Sequence, residues 1–426
     1  MRPRFTALKG VADVLPPETG LWRKIENAAC LVMGSYGYDE IKPPVIEQTE
    51  LFSRSIGDSS DIMAKEMYTF TDKGGRSVSL RPEGTASIVR AYVEHNLSSR
   101  PAPQKFFYFG PMFRYERPQK GRQRQFYQLG AECFGIADPG IDAEMITMLL
   151  SFLDRIGLKG LSLEINSIGC KECRPAFKER LREFFAPHLS SLCPDCQRRY
   201  EQNPLRILDC KVERCTQIRE NAPLISETLC EDCKNHFSGL LGFLDAMGAP
   251  YILNPHMVRG LDYYTRTVFE VKGSIGLEGA GLGSQNAVAA GGRYDLLVSE
   301  FGGPETPATG FAAGMERLAA LLKEAGPSGE EALAQGPVLF IASLGPEASI
   351  QALKMASRLR QGGTRVELGW GGSLKSQLRR ADKLSARYVV IIGEDELKTG
   401  RFKWKNLNDG SSGFFEAGEE DIFNSI

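Results

Sequence analysis

The stretch FRYERPQKGRQRQF, Phe113 to Phe126, decides how this chain is read. It carries five basic residues, Arg114, Arg117, Lys120, Arg122 and Arg124, and one acid, Glu116. Apolar runs flank it, KFFYFGPMF before and FYQLGAECFG after. Two such runs joined through proline and glycine predict an antiparallel hairpin with a strongly positive tip. Positive charge held between aromatic rings suits a polyanionic ligand.

Outside this stretch the chain is not basic. Its 426 residues carry a net charge of −1 at pH 7, with 42% hydrophobic and 25% charged residues. That is the composition of a soluble globular protein of about two to four domains. A polyanion must therefore be met by local patches. No apolar run approaches the roughly 20 residues of a membrane span. The N-terminus, MRPRFTALKGVADVLPP, has no apolar signal core. The expected compartment is the cytoplasm, with no membrane partner.

Helical spacing marks residues 18–36, ended by Gly37, and a short strand follows in YDEIKPPVIEQTELF, confined by Pro43 and Pro44 to a sheet edge or an interface. Residues 76–95 suggest strand, turn and helix, 142–157 a helix, and 159–169 an alternating strand. Residues 170–245 are helical and Cys-bearing and interrupt a strand-rich pattern, as an inserted domain would. Strands are expected again over 257–273, then a glycine-rich loop, GSIGLEGAGLGSQNAVAAGGRYD, and a glycine-led helix over 307–324. The segment EAGPSGEEALAQGP is linker-like. Beyond it, strand and helix alternate as in a compact α/β domain with a mostly parallel sheet. The expected organisation is an N-terminal domain over 1–325 interrupted at 170–245, a linker over 326–336, and an α/β domain over 337–426.

The glycine pattern GAGLGS falls short of a dinucleotide fingerprint, and there is no phosphate-binding G-x-x-x-x-G-K-[ST]. Arginines are left as phosphate ligands: Arg114 in the hairpin, Arg259 in VRGLDYYTRTVFE, and Arg317 in GFAAGMERL. A planar guanidinium clamps two phosphate oxygens at once, although any one of the three alone could be a solvated charge. Glu83 in LRPEGT and Glu132, four residues after Gln128, sit in apolar sequence, where a carboxylate needs a donor or cationic partner. From Lys354 to Arg387 there are nine Lys/Arg against two acids, on two expected helices, as either a nucleic-acid face or a solvated one.

Together these segments resemble the class II aminoacyl-tRNA synthetases, and most of all the histidyl-tRNA synthetase family of bacterial type. KGVADVLP resembles the family's opening, the segment ending at Pro43 and Pro44 its motif 1, FRYERPQKGRQRQF its motif 2, and GFAAGMERL its motif 3. LRPEGT, VRGLDYYTRTVFE and AAGGRYD resemble the histidine-specific signatures, and the tail after residue 337 the anticodon-binding domain. The resemblance implies an α+β class II catalytic core, a six- to seven-stranded antiparallel sheet flanked by helices. It also implies a homodimer built partly through motif 1.

It implies a reaction as well: L-histidine and ATP, with Mg²⁺, give histidyl-adenylate and pyrophosphate, and the histidyl group then passes to the 3′ end of tRNA(His). Arg114 and Arg259 would be the catalytic residues flanking the α-phosphate, and Arg317 would hold the γ-phosphate. Phe126 would stack on adenine with Glu116 near its amino group. Histidine would lie among Glu83, Gly84, Thr85, Arg114, Gln128, Glu132, Arg259, Tyr263 and Tyr264. Arg117, Gln119, Lys120 and Arg124 would face the tRNA acceptor stem.

The insertion departs from many relatives. Its cysteines fall as Cys170-x₂-Cys173, Cys193-x₂-Cys196, Cys210-x₄-Cys215 and Cys230-x₂-Cys233. In a cytosolic chain such pairs suggest structural zinc before disulfides, with free thiols on amphipathic helices as the alternative. The spacing leaves open which pairs combine. Two rival functions share the fold: the synthetase-like regulatory subunit of ATP phosphoribosyltransferase, and a non-catalytic tRNA-binding module. Retention of Arg259, Tyr263, Tyr264 and the basic tail argues against the first, and retention of Arg114, Arg259 and Arg317 against the second; RGLDYYTRTVFE and AAGGRYD oppose another class II synthetase, a third alternative.

Overall fold

The computed structural model describes residues 5–57, 60, 62–118, 122–273, 287–324, 338–419 and 423. Two compact units emerge, Met1–Gly326 and Pro327–Ile426.

In the first unit, helix α1 (Glu18–Ser35) buries Leu21, Trp22, Ile25, Ala29, Val32 and Met33, one apolar stripe at helical spacing. Gly37, at φ 78°, turns the chain out of it. Then come β1 (Asp39–Glu40), β2 (Ile46–Gln48), α2 (Thr49–Ile56), β3 (Tyr68–Thr71), β4 (Ser77–Leu80), α3 (Thr85–Glu94), β5 (Gln104–Phe113) and β6 (Gln125–Phe134). Helix α4 (Gly140–Arg155) and β7 (Leu161–Ser167) lead into the insertion, α5 (Cys173–Phe185), α6 (Pro194–Gln202), α7 (Glu213–Arg219) and α8 (Glu231–Ala246). The chain returns through β8 (Ile252–Leu253), β9 (Thr265–Gly273), β10 (Ala287–Arg293), α9 (Leu297–Glu300), β11 (Ala308–Gly314) and α10 (Met315–Glu324).

The main sheet runs β1-β5-β6-β11-β10-β9-β7-β8. Its six central strands are antiparallel, and the two-residue edge strands β1 and β8 pair in parallel. This is the antiparallel class II core with a parallel strand added at each edge. Pro43 and Pro44 follow the edge strand β1. Buried Arg81 ties that corner to β5, donating from Nη1 to the Pro43 carbonyl (3.1 Å) and from Nε to the Pro111 carbonyl (3.0 Å).

Three segments of the first unit differ from the sequence reading. Residues 308–314, expected as the start of a glycine-led helix, are the strand β11, and the helix begins at Met315. ATGFAAG lacks an apolar stripe at helical spacing, and its small residues let β6 and β10 close on both sides. Residues 257–264, expected as strand, are irregular, and β9 begins at Thr265. The glycine-rich stretch 273–295, expected as a loop, holds the strand β10 over Ala287–Arg293, where small residues let β9 and β11 pair on both sides; residues 274–286 of it lie outside the described residues.

The insertion shares a continuous core with the sheet. Phe177, Leu181, Phe185, Ile207 and Leu208 belong to the same buried cluster as Tyr108, Phe134, Tyr263 and Tyr264.

The second unit contains β12 (Leu339–Ser343), α11 (Pro346–Gln361), β13 (Val366–Leu368), α12 (Leu374–Lys383), β14 (Tyr388–Ile392), α13 (Glu394–Thr399), β15 (Arg401–Asn406) and β16 (Ser412–Glu416). The sheet order is β13-β12-β14-β15-β16, parallel across the first three strands and antiparallel across the last two. Leu339 and Ile341 pack with α11, while Phe340 and Ala342 pack with Ala381 of α12. Strand alternation thus buries both faces, as helices on either side require. The nine basic residues between Lys354 and Arg387 are all exposed.

Candidate active site

Strand β6 builds the floor of the site. Side chains alternate across a strand, so Phe126, Gln128, Gly130 and Glu132 share one face. Glu132 is fully buried and lies opposite Gly310 of β11. A Cβ on Gly310 would stand 1.7 Å from Glu132 Oε2, so only glycine leaves room for the carboxyl group. Thr85 Oγ1 donates to Glu132 Oε1 (2.8 Å), and the Tyr294 hydroxyl donates to Oε2 (2.5 Å). Burial pushes the Glu132 carboxyl up to about 8.

Glu83 closes the first turn of α3. Its carboxylate accepts from the amides of Thr85 (2.7 Å) and Ala86 (2.9 Å), donors that a helix start leaves without partners. Burial raises its pKa, and the two amides and Arg114 act against that. Gly84 packs on Tyr108; a Cβ there would come within 2.3 Å of the ring. Among the described residues, Gln128 Oε1 is buried with no hydrogen-bond partner. A buried amide oxygen left in this way fits a donor arriving with a ligand.

Above this floor a cavity of about 670 Å³ is bordered by Arg114, Arg122, Arg259 and Arg317. Arg114 follows β5; its Nε donates to the Pro82 carbonyl (2.9 Å) and its guanidinium lies 5.2 Å from the Phe126 ring centroid. Arg122 pairs with Glu116 (2.9 Å). Arg317, in the first turn of α10, donates to the Ala287 carbonyl (2.6 Å). Burial, then the charges of Arg122 and Arg114, lower the Arg317 pKa from its ordinary value. Such a concentration of like charge destabilises the unliganded chain and is relieved by an anion. Arg259 pairs with Glu270 of β9 and stands 5.8 Å from the Tyr264 ring centroid. Lys272 reaches Glu270 (3.6 Å) and Glu164 (2.6 Å).

Glu83, Thr85, Arg114, Glu116, Phe126, Gln128, Arg259, Tyr263, Tyr264 and Arg317 all border this one cavity. Glu132 lies just beneath it through Thr85. Of the residues expected to face tRNA, Arg117 is exposed, while Arg124 is half-buried with its guanidinium 3.8 Å from the Tyr115 ring centroid. Gln119 and Lys120 lie outside the described residues. Sequence reasoning missed Arg122, Glu270, Glu316 and Tyr294. Glu270 and Lys272 were legible as two charges at strand spacing, alternating with buried Phe269 and Val271. Glu316 had no sequence signal: it accepts from the Tyr127 amide (2.9 Å), and burial pushes it up to about 7. Of the AAGGRYD stretch, Ala289 and Ala290 line the cavity, Arg293 is buried on Asp142 (2.7 Å), and Tyr294 reaches toward the site through Glu132.

The model of the family described as histidyl-tRNA synthetase matches residues 10–172 and 202–318, well over half of the chain. The chain belongs to the histidyl-tRNA synthetase family. A model described as an anticodon-binding domain matches residues 339–417. Within the family, the histidine–tRNA ligase of Thermodesulfovibrio yellowstonii is 51% identical over 417 residues, 96% of each chain. That of Geobacter metallireducens is 50% identical over 408 residues, again 96% of each chain. The crystal structure of apo S. aureus histidyl-tRNA synthetase superposes with a TM-score of 0.81 at 36% identity, covering 99% of each chain.

The histidyl-tRNA synthetase model leaves residues 173–201 unmatched, within the Cys-bearing insertion. There the eight cysteines separate into two groups that could hold metal: Cys170, Cys173, Cys230 and Cys233, and Cys193, Cys196, Cys210 and Cys215. None is in a disulfide. The fold therefore answers what spacing left open: the outer two pairs combine, and so do the inner two.

Proposed function

We propose that this chain is a histidine–tRNA ligase, which activates L-histidine with ATP and transfers it to tRNA(His). The observation that carries the reading is full-length similarity, at 51% identity, to a histidine–tRNA ligase. The cavity chemistry agrees with it. The polar floor of Glu83, Thr85, Gln128 and Glu132 suits an amino acid with two ring nitrogens and an ammonium group. Polar groups buried this way reject side chains that leave them unpaired. The arginine cluster suits the triphosphate, and Phe126 offers a face to adenine.

Adenylate formation needs little covalent work from the protein. The histidine carboxylate attacks the α-phosphorus, and pyrophosphate leaves with the bonding electrons. Arg114 and Arg259 hold the α-phosphate from two sides and stabilise the charge that gathers on it. Glu270 keeps Arg259 aimed into the cavity until the phosphate competes for it. Arg317 takes the γ-phosphate. Glu116, Glu270 and Glu316 line the cavity and would supply hard oxygen donors to Mg²⁺, which would neutralise charge on the outer phosphates. Arg117 and Arg124 meet the acceptor stem, and the exposed basic helices of the second unit meet the rest of the tRNA. A homodimer formed through the motif 1 region would cover Leu31, Ile46 and Phe70, which are exposed in the single chain. The insertion's cysteines would hold zinc.

Histidine-dependent exchange of labelled pyrophosphate into ATP, without tRNA, tests the reading against a panel of amino acids. Exchange with histidine alone is expected. Exchange with another amino acid would overturn the substrate pocket, and none at all would move the chain to a regulatory or tRNA-binding role. In the same assay Arg259→Ala is expected to lose about 10²-fold or more in adenylate formation. A rate within a few-fold of wild type would remove Arg259 from that role.

A further inference from the structure

The two four-cysteine groups meet different parts of the fold. Cys170, Cys173, Cys230 and Cys233 bracket the insertion where it leaves β7 and where α8 returns it. The inner group, Cys193, Cys196, Cys210 and Cys215, is buried throughout. Within each group the four sulfurs lie within 4.8 Å of one another. The separations Cys170–Cys173 (3.6 Å), Cys170–Cys230 (3.8 Å) and Cys193–Cys210 (3.8 Å) are far from a disulfide bond, about 2.05 Å. They match the edge of a tetrahedron whose corners stand about 2.3 Å from zinc, roughly 3.8 Å. Backbone amides also aim at the sulfurs, Cys230 N at Cys173 Sγ (3.1 Å) and Cys193 N at Cys215 Sγ (3.2 Å). Such donors favour thiolate over thiol.

We propose that the insertion binds two zinc ions, one per group, and that the inner zinc positions the loop carrying Arg259. The second half rests on the reading of the cavity given above. Between Cys196 and Cys210 runs a 3₁₀ turn, Pro204–Asp209. Its Arg206 donates from Nη2 to the Gly260 carbonyl (2.7 Å) and to Asp262 Oδ1 (3.0 Å). Asn203, at the start of the turn, donates to the same oxygen (3.3 Å). These bonds grip the chain immediately after Arg259. Asp209, Cys210 and Lys211 themselves form cavity wall. Four thiols alone would hold this turn only by weak S–H contacts. Four zinc–thiolate bonds, formed as the thiol protons leave to solvent, would fix both ends of it. With four protein ligands each site is closed, so the metals shape the pocket and take no part in bond making.

The experiment uses the full chain purified without chelator. Elemental analysis should find about two zinc per chain and no visible absorption, and cobalt substitution should give the charge-transfer bands of a tetrahedral thiolate site. Cys210→Ser should retain about one zinc. Arg206→Met spares every cysteine, so it should keep both metals while kcat for histidine-dependent exchange falls about tenfold or more, with KM little changed. One zinc or none in the wild-type chain, or iron with visible absorption in its place, overturns the two-zinc assignment. Arg206→Met with two zinc and a wild-type kcat overturns the positioning role. A zinc-replete wild-type chain with no exchange overturns the cavity reading and the positioning role with it, and leaves the metal assignment standing.

Discussion

Glu132→Gln should change how the protein's stability depends on pH. The wild-type carboxyl titrates at about 8 in the fold against 4.5 for an ordinary glutamate. Between those values the unfolded chain releases a proton that the native chain keeps, so native stability falls as pH rises. The difference is about 3.5 pH units; at 1.36 kcal/mol per unit, roughly 5 kcal/mol separates the two ends of the window. Below 4.5 both states are protonated and the term vanishes; above 8 it is present in full. Glutamine keeps the shape and the acceptor for Thr85 or Tyr294 but cannot ionise. Its constant cost is the same at every pH, so only the slope of the wild-type–variant difference matters. Urea unfolding at one chain concentration, at half-unit steps from pH 5 to 8, reads that slope. The variant should gain on wild type by about 1.4 kcal/mol per pH unit. Parallel profiles across the window would refute the claim that Glu132 is held neutral. The raised pKa of Glu316 contributes a slope of the same sign in both proteins and cancels in the difference, whereas the charge of Glu83 helps to raise Glu132 and is part of the effect being read.

Two further perturbations test the packing around the site. Gly310→Ala puts a methyl group 1.7 Å from Glu132 Oε2 and 2.6 Å from the Ala131 carbonyl, in the middle of the sheet. Stability should fall by about 1–3 kcal/mol or more, measured by urea unfolding, and histidine-dependent exchange should fall with it; an unchanged midpoint would count against the central placement of β11. Arg293→Met leaves Asp142, fully buried and shared with His236 (2.9 Å), without its guanidinium partner. A loss of about 3–5 kcal/mol is expected, and a loss under 1 kcal/mol would show that the pair is not buried as described.

The sequence by itself determined which chemistry the chain carries. The basic hairpin, the arginines in VRGLDYYTRTVFE and GFAAGMERL, and the carboxylates around Gln128 were legible because charged and polar types stand out against apolar strand patterns. Strand β7 followed from alternation, the β5–β6 hairpin from its flanking apolar runs, and the first three strands of the C-terminal unit from alternating strand and helix, whereas β10 and β11 were expected as loop and helix. Tertiary structure decided what depends on partners distant in sequence. ATGFAAG became a strand because β6 and β10 accept its small residues, not because of any propensity of its own. The hairpin β15–β16 was missed because the expected strand–helix alternation ends at β14. Glu270, Glu316 and Arg122 became cavity residues through strand register and helix docking, and of AAGGRYD the two alanines line the cavity while Tyr294 acts from beneath. The cysteines show the division most simply. Their spacing fixed four pairs, each able to supply two ligands, but local geometry cannot say which pairs combine. Only the start of α8 beside the chain leaving β7, and the turn that brings Cys210 back to Cys193, place the sulfurs within reach of one another.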